Sequence, residues 1–486
     1  MVKKLLLILG GIIALVVIAA IAAVMLVDVN SYKPKIEAAA LEATGLELKI
    51  NGKIGISLFP IGVSADDIHI SNKEGQIVGL QRLTIGVEIL PLLKKDIKVT
   101  RCDLIKPVIN IVKNSDGKFN FEETEKIPAP KKDQDGKGAA AAGAAFSVGA
   151  LNLSDGSLVY LDKKSGDRSE LKGFNLSIKN FAAGAPGDDM VKHMSFTGSF
   201  DCKEVLQKKL RIDNIKAAIK ANNGVFEVNP ISMEAFGGKG EGDSRIDMAA
   251  ATWGYKKDFK LSKFSFEKLT ESFGQKKSIG GEGNMVLAVT AHGREMNQIM
   301  GSLNGSFSIK GDNLILYTMD LDKKLMALES PGKFTLNSLS SLDLSTVVGL
   351  DSLLGAGAAA NTKGEQGVIK KMVSDWTIRN GVADATDVAI ATQKHRIAVK
   401  GKLNLVSERY ENLVLAVIDE KGCSKFKQTL NGPFKKPKID TKEALQSAVT
   451  AVSGLFGLKV PQLQNKPTQQ EAKCDNFYSG SVQPPK

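Results

Sequence analysis

Short runs of alternating apolar and polar residues recur along most of this 486-residue chain, and they constrain its fold more than any other feature. Because side chains alternate between the two faces of a strand, a period of two indicates half-buried β-strands. Two N-terminal runs provide the candidate apolar strand face: Ile50, Ile54, Ile56 and Leu58 in the first, and Leu83, Ile85, Val87 and Ile89 in the second. The chain has no regular strand–helix alternation, which argues against a parallel-sheet enzyme.

A few segments break the strand pattern. Residues 30–45, NSYKPKIEAAALEATG, predict a short helix, with Pro34 in its first turn and Gly45 at its end. Residues 126–146 are dominated by Pro, Lys, Gly and Ala, which is typical of a linker or long loop. Near the end, residues 440–443 read DTKE, a capping-box pattern that predicts a further helix.

The fold class that follows is mainly β. We predict an N-terminal transmembrane helix followed by an elongated antiparallel β-sheet body with a few short helices. The apolar faces of its strands form either a closed core or an open groove, because both require one apolar side. The predicted parts are an anchor at 1–28, a helix and β region at 29–125, a linker at 126–146, a second β region at 147–440, and a helix with a tail at 441–486.

The N-terminus carries the longest uncharged stretch, from Leu5 to Val27. At about 1.5 Å per residue a helix of this length reaches about 34 Å, enough for a hydrocarbon core of about 30 Å. A cleaved signal peptide has a shorter apolar region of roughly 7–15 residues. We therefore favour an uncleaved, single-pass signal anchor, with the residues after Asp28 exported.

The chain is basic, with 65 Lys and Arg against 53 Asp and Glu and a formal net charge of +12. Nucleic-acid binding requires basic residues clustered with exposed aromatic ones. Here the lysines are spread along the whole sequence, mostly on polar strand positions, and aromatic residues make up only 6%. A solvated surface or contact with anionic lipid fits this distribution, and nucleic acid does not.

The pattern of potential ligands and nucleophiles does not suggest catalysis. The four cysteines contain no CxxC pair and the four histidines lie far apart in sequence, so we expect no metal site and no cofactor. Gly242-Asp243-Ser244 resembles the nucleophile block of GDS-type lipases, but His395 has no Asp just before it, and we interpret the three residues as a hairpin turn. The preceding glycine-rich run opens no predicted helix, as a phosphate loop must, and we interpret it as a glycine-rich hairpin. We predict a protein without enzymatic activity or catalytic residues.

Several stretches, taken in order, resemble the AsmA family, which is related to the TamB-type group. Residues 27–72, VDVNSYKPKIEAAALEATGLELKINGKIGISLFPIGVSADDIHISN, are similar to the family's anchor exit, short helix and first strand. Residues 226–247, FEVNPISMEAFGGKGEGDSRID, resemble its repeating unit of strand, aromatic-Gly-Gly and strand. GSLNGSFSIKGDNL and WTIRNGVADATDVAIATQKHRIAVKGKLNL resemble its C-terminal region. The resemblance covers nearly the whole chain, least clearly at 126–146 and 338–366.

The resemblance implies a bacterial inner-membrane protein whose bulk lies in the periplasm and serves the cell envelope. It makes phospholipid transfer toward the outer membrane the leading hypothesis, with acyl chains held against the apolar strand faces. The alternative is an assembly or scaffold factor for outer-membrane proteins, with envelope proteins as partners. In an oxidising periplasm, Cys423 and Cys474 on either side of the predicted C-terminal helix are candidates for a disulfide.

Overall fold

The computed structural model describes residues 29–58, 60–88, 91, 98–122, 146–183, 191–273, 277–317, 319–329, 366–440, 474 and 476–485. The predicted anchor, the linker and the helix after Asp440 lie outside these residues. Within them, no helix is long and apolar enough to cross a membrane. The chain divides into two compact units, the first formed by residues 1–234 and 243–251 and the second by 235–242 and 252–486.

The described part of the first unit has a turn and a helix at its start and continues in strands, as the alternation predicts. A 3-10 turn, Val29–Tyr32, leads into helix α1, Lys33–Thr44. The strands are β1 Glu47–Ile50, β2 Ile54–Leu58, β3 Ile61–Asn72, β4 Gly75–Val87, β5 Val99–Ile105, β6 Val108–Lys113, β7 Phe146–Asp162, β8 Arg168–Ala183, β9 Ser195–Gln207, β10 Leu210–Asn222 and β11 Val225–Ala235.

In its described residues the second unit repeats this strand-rich pattern and adds three short helices. Strand β12, Gly238–Asp247, belongs to it up to Gly242. The other strands are β13 Gly254–Ser265, β14 Ile279–Gly280, β15 Glu282–His292, β16 Asn304–Leu316, β17 Gly367–Arg379, β18 Val382–Ala391, β19 Arg396–Asn404, β20 Arg409–Ile418, β21 Ser424–Pro433 and β22 Lys438–Asp440. The helices are α2 Phe266–Ser272, α3 Met296–Gly301 and α4 Leu321–Glu329.

Helix α1 begins and ends where its sequence predicts. Pro34 occupies the first turn, where its missing N–H is not required. Gly45 ends the helix in the left-handed conformation, with φ 71°, and donates its N–H to the carbonyl of Leu41. Ile36 and Ala40 are the apolar residues that this helix buries against the sheet.

Among the described strands, pairing is antiparallel except at β7. Strand β7 runs parallel to both β5 and β6, which themselves pair with β4 in antiparallel fashion. A parallel pair needs a crossover of a dozen or more residues, and the more than 30 residues between Lys113 and Phe146 supply one. The prediction of an antiparallel body therefore requires correction at β7.

A bulge in β7 changes the parity of its apolar face. The register shifts after Leu153, where Asp155 adopts φ 53°. Odd-numbered Leu151 and Leu153 and even-numbered Tyr160 consequently pack against the same core. One inserted residue moves the following side chains to the other face of a strand, so the bulge preserves a single apolar side.

A C-terminal segment covers one side of the second unit's sheet. Phe477, Tyr478 and Val482 pack against a surface built largely from small residues of strands β17 to β20: Val373, Ala389, Ala391, Ala398, Ala416 and Ile418. The guanidinium of Arg396 donates to the carbonyl of Val482 at 2.9 Å, and to the carbonyls of Asp419 and Glu420. The hydrogen bonds fix this segment, which we call the C-terminal strap (residues 476–485), over what we call the alanine surface.

The strap is also fixed covalently. A disulfide joins Cys423 to Cys474, with 5.5 Å between their Cα atoms. Just beyond it, the amides of Phe477 and Tyr478 donate to the carbonyl of Gly422 at 2.9 and 3.1 Å. The two cysteines that the sequence proposed as partners are thus adjacent because the strap returns to the turn before β21.

Candidate functional site

One apolar row crosses the first unit in register. Residues directly opposite each other in paired strands place their side chains on the same face. From β2 to β10 the opposed residues are Ile54, Ala65, Leu83, Leu104, Leu153, Leu176, Phe200 and Ala217. Every member is apolar, so eight strands present one continuous apolar line.

A second apolar row runs alongside the first. Its members are Ile56, Val63, Ile85, Cys102, Leu151, Ile178, Gly198 and Ile219. The row between them is mostly polar and points to the other side of the sheet: Gly55, Ser64, Thr84, Asp103, Asn152, Ser177, Ser199 and Ala218. There Asn152 donates to Asp103 at 2.7 Å and accepts from Ser177 at 2.9 Å. The sheet therefore has one apolar and one polar side.

The apolar side is closed at its β1–β5 end. Ile50, Ile54, Leu83 and Ile85 are all at most 6% exposed and belong to one core cluster. Helix α1 contributes Ile36 and Ala40 to the same cluster, and the turn after β6 contributes Phe119 and Phe121. At this end the predicted strand face is closed protein core.

Ile54 and Ile56 lie on one face of β2 but differ in exposure. Ile56 shares the apolar face through its partner Val63, yet it is 63% exposed. The 3-10 turn that precedes α1 lies against β2, and Asn30 in it bonds the backbone of Ile54. Ile56 lies beyond that cover. Val87 is half-buried against the core cluster. Leu58 is the last residue of β2, and Ile89 lies outside the described residues.

Toward β8–β10 the same rows become accessible. Leu153, Leu176, Phe200 and Ala217 are all half-buried, although they continue a row that is buried at Leu104. Aromatic rings line this part: Phe200 stacks on Phe174 with 6.4 Å between ring centroids, and Phe196 lies 6.2 Å from Phe181. A continuous apolar surface of this kind differs from the isolated exposed apolar residues of ordinary protein surfaces.

The second unit shows the same gradation in its own sheet. One row there is nearly completely buried from β16 onward: Ile309, Ser374, Val388, Val399, Leu415 and Gln428. In the neighbouring row, Phe259, Leu287 and Phe307 of β13, β15 and β16 oppose one another and are half-buried. We call the half-buried apolar residues on the apolar side of the sheet the open faces. They lie in β7–β10 of the first unit and in β13–β16 of the second.

The motif considered for hydrolysis is part of a strand. Gly242-Asp243-Ser244 lies within β12, so the prediction of a hairpin turn at these residues is wrong. The turn falls at Phe236 and Gly237 instead, whose φ angles are 54° and 80°. Asn, Asp and Gly are favoured at such angles, and the aromatic Phe236 gave no turn signal.

His395 has an acidic partner that sequence reasoning missed. Its Nδ1 lies 2.7 Å from a carboxylate oxygen of Asp322 in α4, and the ring is 6% exposed. The same carboxylate accepts from the hydroxyl of Thr392 and from the backbone N–H of Gln393. Because Asp322 binds three groups of the β18–β19 turn, its arrangement fastens α4 to the sheet. Among the described residues, no three His, Cys, Asp or Glu side chains are grouped to hold a metal ion.

The arrangement that stands out is therefore an extended apolar surface rather than a cluster of reactive groups. No curated protein and no solved structure is detectably similar to this chain. The sequence profile of the AsmA family, by contrast, matches residues 1–203 and again 188–387. These two matches span most of the sequence and include both the closed and the open faces of the first unit. The chain belongs to the AsmA family.

Proposed function

We propose that this protein is a non-enzymatic envelope protein, anchored in the inner membrane by Leu5–Val27, with its β-rich body in the periplasm. Its open faces hold the acyl chains of phospholipid and support lipid transfer toward the outer membrane. The single observation that carries the proposal is the apolar row from Ile54 to Ala217, buried at one end and half-buried at the other. Family membership supports an envelope role.

The dimensions of the open face suit an acyl chain. Neighbouring strands lie about 4.8 Å apart, so the four strands β7–β10 present an apolar line of roughly 14 Å. Each methylene removed from water contributes about 0.8 kcal/mol, so covering about six methylenes supplies about 5 kcal/mol. The polar face opposite, with its Asp103–Asn152–Ser177 hydrogen bonds, remains in water. A lipid tail therefore has one side of the sheet to bind.

Site-specific photocrosslinking in the full-length, membrane-embedded protein tests the proposal. A benzophenone amino acid at Phe200 lies on the open face, whereas the same group at Ser199 lies on the polar face one residue away. We expect phospholipid adducts at position 200 and none at 199, detected by mass spectrometry of the crosslinked peptide. The adjacent-residue control removes the contribution of lipid that merely surrounds the anchor.

Two results would count against the proposal. Equal lipid adducts at 199 and 200 would mean that the open face does not select lipid. Protein adducts at 200, in place of lipid, would favour the assembly-factor alternative. As a second measurement, Phe200→Asp is expected to abolish lipid adducts formed from a benzophenone at Leu176, its partner in β8. Ser199→Asp, the matched control, is expected to leave those adducts unchanged.

A further inference from the structure

The hairpin of β2 and β3 carries two exposed apolar residues on the apolar side of the sheet. Ile56 is 63% exposed and Ile61 is 48% exposed, while Val63, which pairs with Ile56, is 6% exposed. The sequence from Ile54 to Ala65 contains no charged residue. Two exposed aliphatic side chains in an uncharged hairpin form a surface that an apolar partner can cover.

The chain outside the described residues limits what that partner is. The uncharged run ends at Val27, three residues before Asn30, so these residues span at most about 11 Å. Asn30 is bound to β2, since its side chain accepts from the N–H of Ile54 at 2.9 Å and donates to the carbonyl of Ile54 at 3.3 Å. Ile56 is two residues further along the strand, or about 7 Å. The hairpin is thus held close to the end of the proposed anchor.

The direction of α1 indicates which part of the hairpin faces that anchor. The start of α1 is held near Ile54, where Lys33 donates to the carbonyl of Gly52. Its end leads directly into Glu47, which opposes Ser71 at the far end of β3. The helix therefore runs away from Ile61, the first residue of β3. Ile61 lies about 13 Å from Ala65, the partner of Ile54, on the side away from the course of α1.

We propose that Ile56 and Ile61 insert into the interfacial region of the bilayer that holds the anchor, giving the first unit a second membrane contact. The inference rests on the proposed anchor. Apolar side chains bind this zone by burying apolar area at the boundary between headgroups and acyl chains. Two contacts, one covalent and one through the hairpin, fix the orientation of the first unit's sheet against the membrane. The second apolar row, from Ile56 to Ile219, begins at this hairpin, so it starts at the bilayer.

Quenching by brominated phospholipid in proteoliposomes of the full chain tests this contact. Tryptophan is introduced at Ile56 or at Ile61, and the signal of the native Trp253 and Trp376 is subtracted using wild-type protein. The matched control is Val108→Trp. Val108 is also an exposed apolar strand residue, 42% exposed, and it opposes Gly79, the partner of His69. His69 is eight residues from Ile61 along β3, so Val108 lies about 26 Å from Ile61 in the strand direction.

We expect quenching at positions 56 and 61 to exceed that at 108 several-fold. Thermal unfolding of each variant, measured in the same proteoliposomes, is expected to match that of the wild type because all three positions are exposed. Equal quenching at the three positions in protein that resists carbonate extraction would overturn the second contact and leave the anchor intact. Extraction of the whole chain by carbonate would overturn both.

Discussion

The side chain of Asn30 pairs with the main chain of Ile54 much as a neighbouring strand would, accepting from its N–H at 2.9 Å and donating to its carbonyl at 3.3 Å. This pair of hydrogen bonds satisfies two backbone groups at the edge of β2 that faces away from β3. It also fixes where the chain that leaves the proposed anchor meets the folded body.

Replacing Asn30 by Ala leaves both backbone groups of Ile54 without this partner, and we expect a loss of about 1–2 kcal/mol in local stability. Hydrogen exchange of the peptide covering residues 51–58 should accelerate accordingly. Asn51→Ala removes an exposed carboxamide from the connection between β1 and β2. It serves as control and should leave exchange unchanged. Unaltered protection in Asn30→Ala would show that other contacts hold β2.

The same substitution at two places in one apolar row should affect stability at one place and lipid binding at the other. Leu83→Asp puts an unpaired charge at a position that is 4% exposed, which costs several kcal/mol of a typical 5–15 kcal/mol stability. Leu176→Asp puts the charge on the half-buried open face, where water reaches it. We expect Leu83→Asp to unfold the first unit, and Leu176→Asp to remain folded and lose lipid adducts at position 200. Thermal unfolding and crosslinking of both variants provide the comparison, and equal destabilisation by the two would mean that the open face is closed in solution.

Loss of the disulfide should release the C-terminal strap. The two cysteines are 51 residues apart, a loop that contributes about 4 kcal/mol in the chain-entropy account. Cys423→Ser is expected to reduce the amide protection of Tyr478 and Val482, measured by hydrogen exchange. Cys474→Ser should have the same effect, and the double variant should be no worse than either single one. Additive losses would mean that the cysteines act independently.

Docking of the strap should weaken in acid. Burial alone would raise the pKa of Asp387, but hydrogen bonds from Ser481 and Tyr478 outweigh it and hold the pKa below its ordinary value. A carboxyl whose pKa is lowered on folding contributes its stabilisation in full above the unfolded value of about 3.9, and loses it as the pH falls through the folded value. Limited proteolysis of the strap at pH 7 and pH 3 measures the effect. In Asp387→Asn the strap should be cleaved more readily at pH 7, and its cleavage should respond less to acid. A wild-type strap equally resistant at both pH values would refute this role.

Docking of the strap should also weaken at alkaline pH, and Tyr478 is the group responsible. Burial is the main cause that raises the pKa of its hydroxyl, and the hydrogen bond to Asp387 adds to it. A group whose pKa is raised on folding stabilises the fold below its unfolded pKa of about 10 and loses that contribution as the pH rises further. We therefore expect proteolysis of the strap to increase above about pH 10. Tyr478→Phe, which removes the titrating hydroxyl, should lose that alkaline response.

The reactivity of the Cys102 thiol should show whether the β1–β5 end of the first unit is closed. Burial raises the pKa of its thiol to about 12, so the reactive thiolate is absent at neutral pH. We expect no maleimide labelling of Cys102 in native protein, and complete labelling in urea. Its strand partner is Ile85 in β4, so labelling should become rapid in Leu83→Asp, two residues away. Fast labelling of the native wild type would contradict a closed core at this end.

Local sequence signals predicted the elements of this fold well. Pro34 and Gly45 fixed the position of α1, because the first and last turns of a helix have strong residue preferences. Alternation identified β2 and β4 correctly as strands with one apolar face. It did not reveal that Asp155 shifts the parity of β7, because a bulge depends on how two strands pair.

The candidate face was predictable only in part. Alternation shows that Ile54 and Ile56 point to the same side of a strand, but their exposures of 6% and 63% depend on what lies above each one. That cover comes from the 3-10 turn and α1, whose packing has no signature within β2 itself. The open part of the face at Leu176 and Phe200 was not among the predicted site residues, since its alternation is the same as that of closed core.

The strap has a consequence for the order in which the chain is synthesised. The alanine surface is complete once Ile418 has been made, whereas Phe477 follows about 60 residues later. At roughly 5–20 residues per second, the ribosome leaves this surface bare for roughly 3–12 s. During that interval the nascent second unit offers Ala389, Ala398 and Ala416 to any chaperone or neighbouring chain. A chain truncated before the strap would leave the alanine surface uncovered permanently.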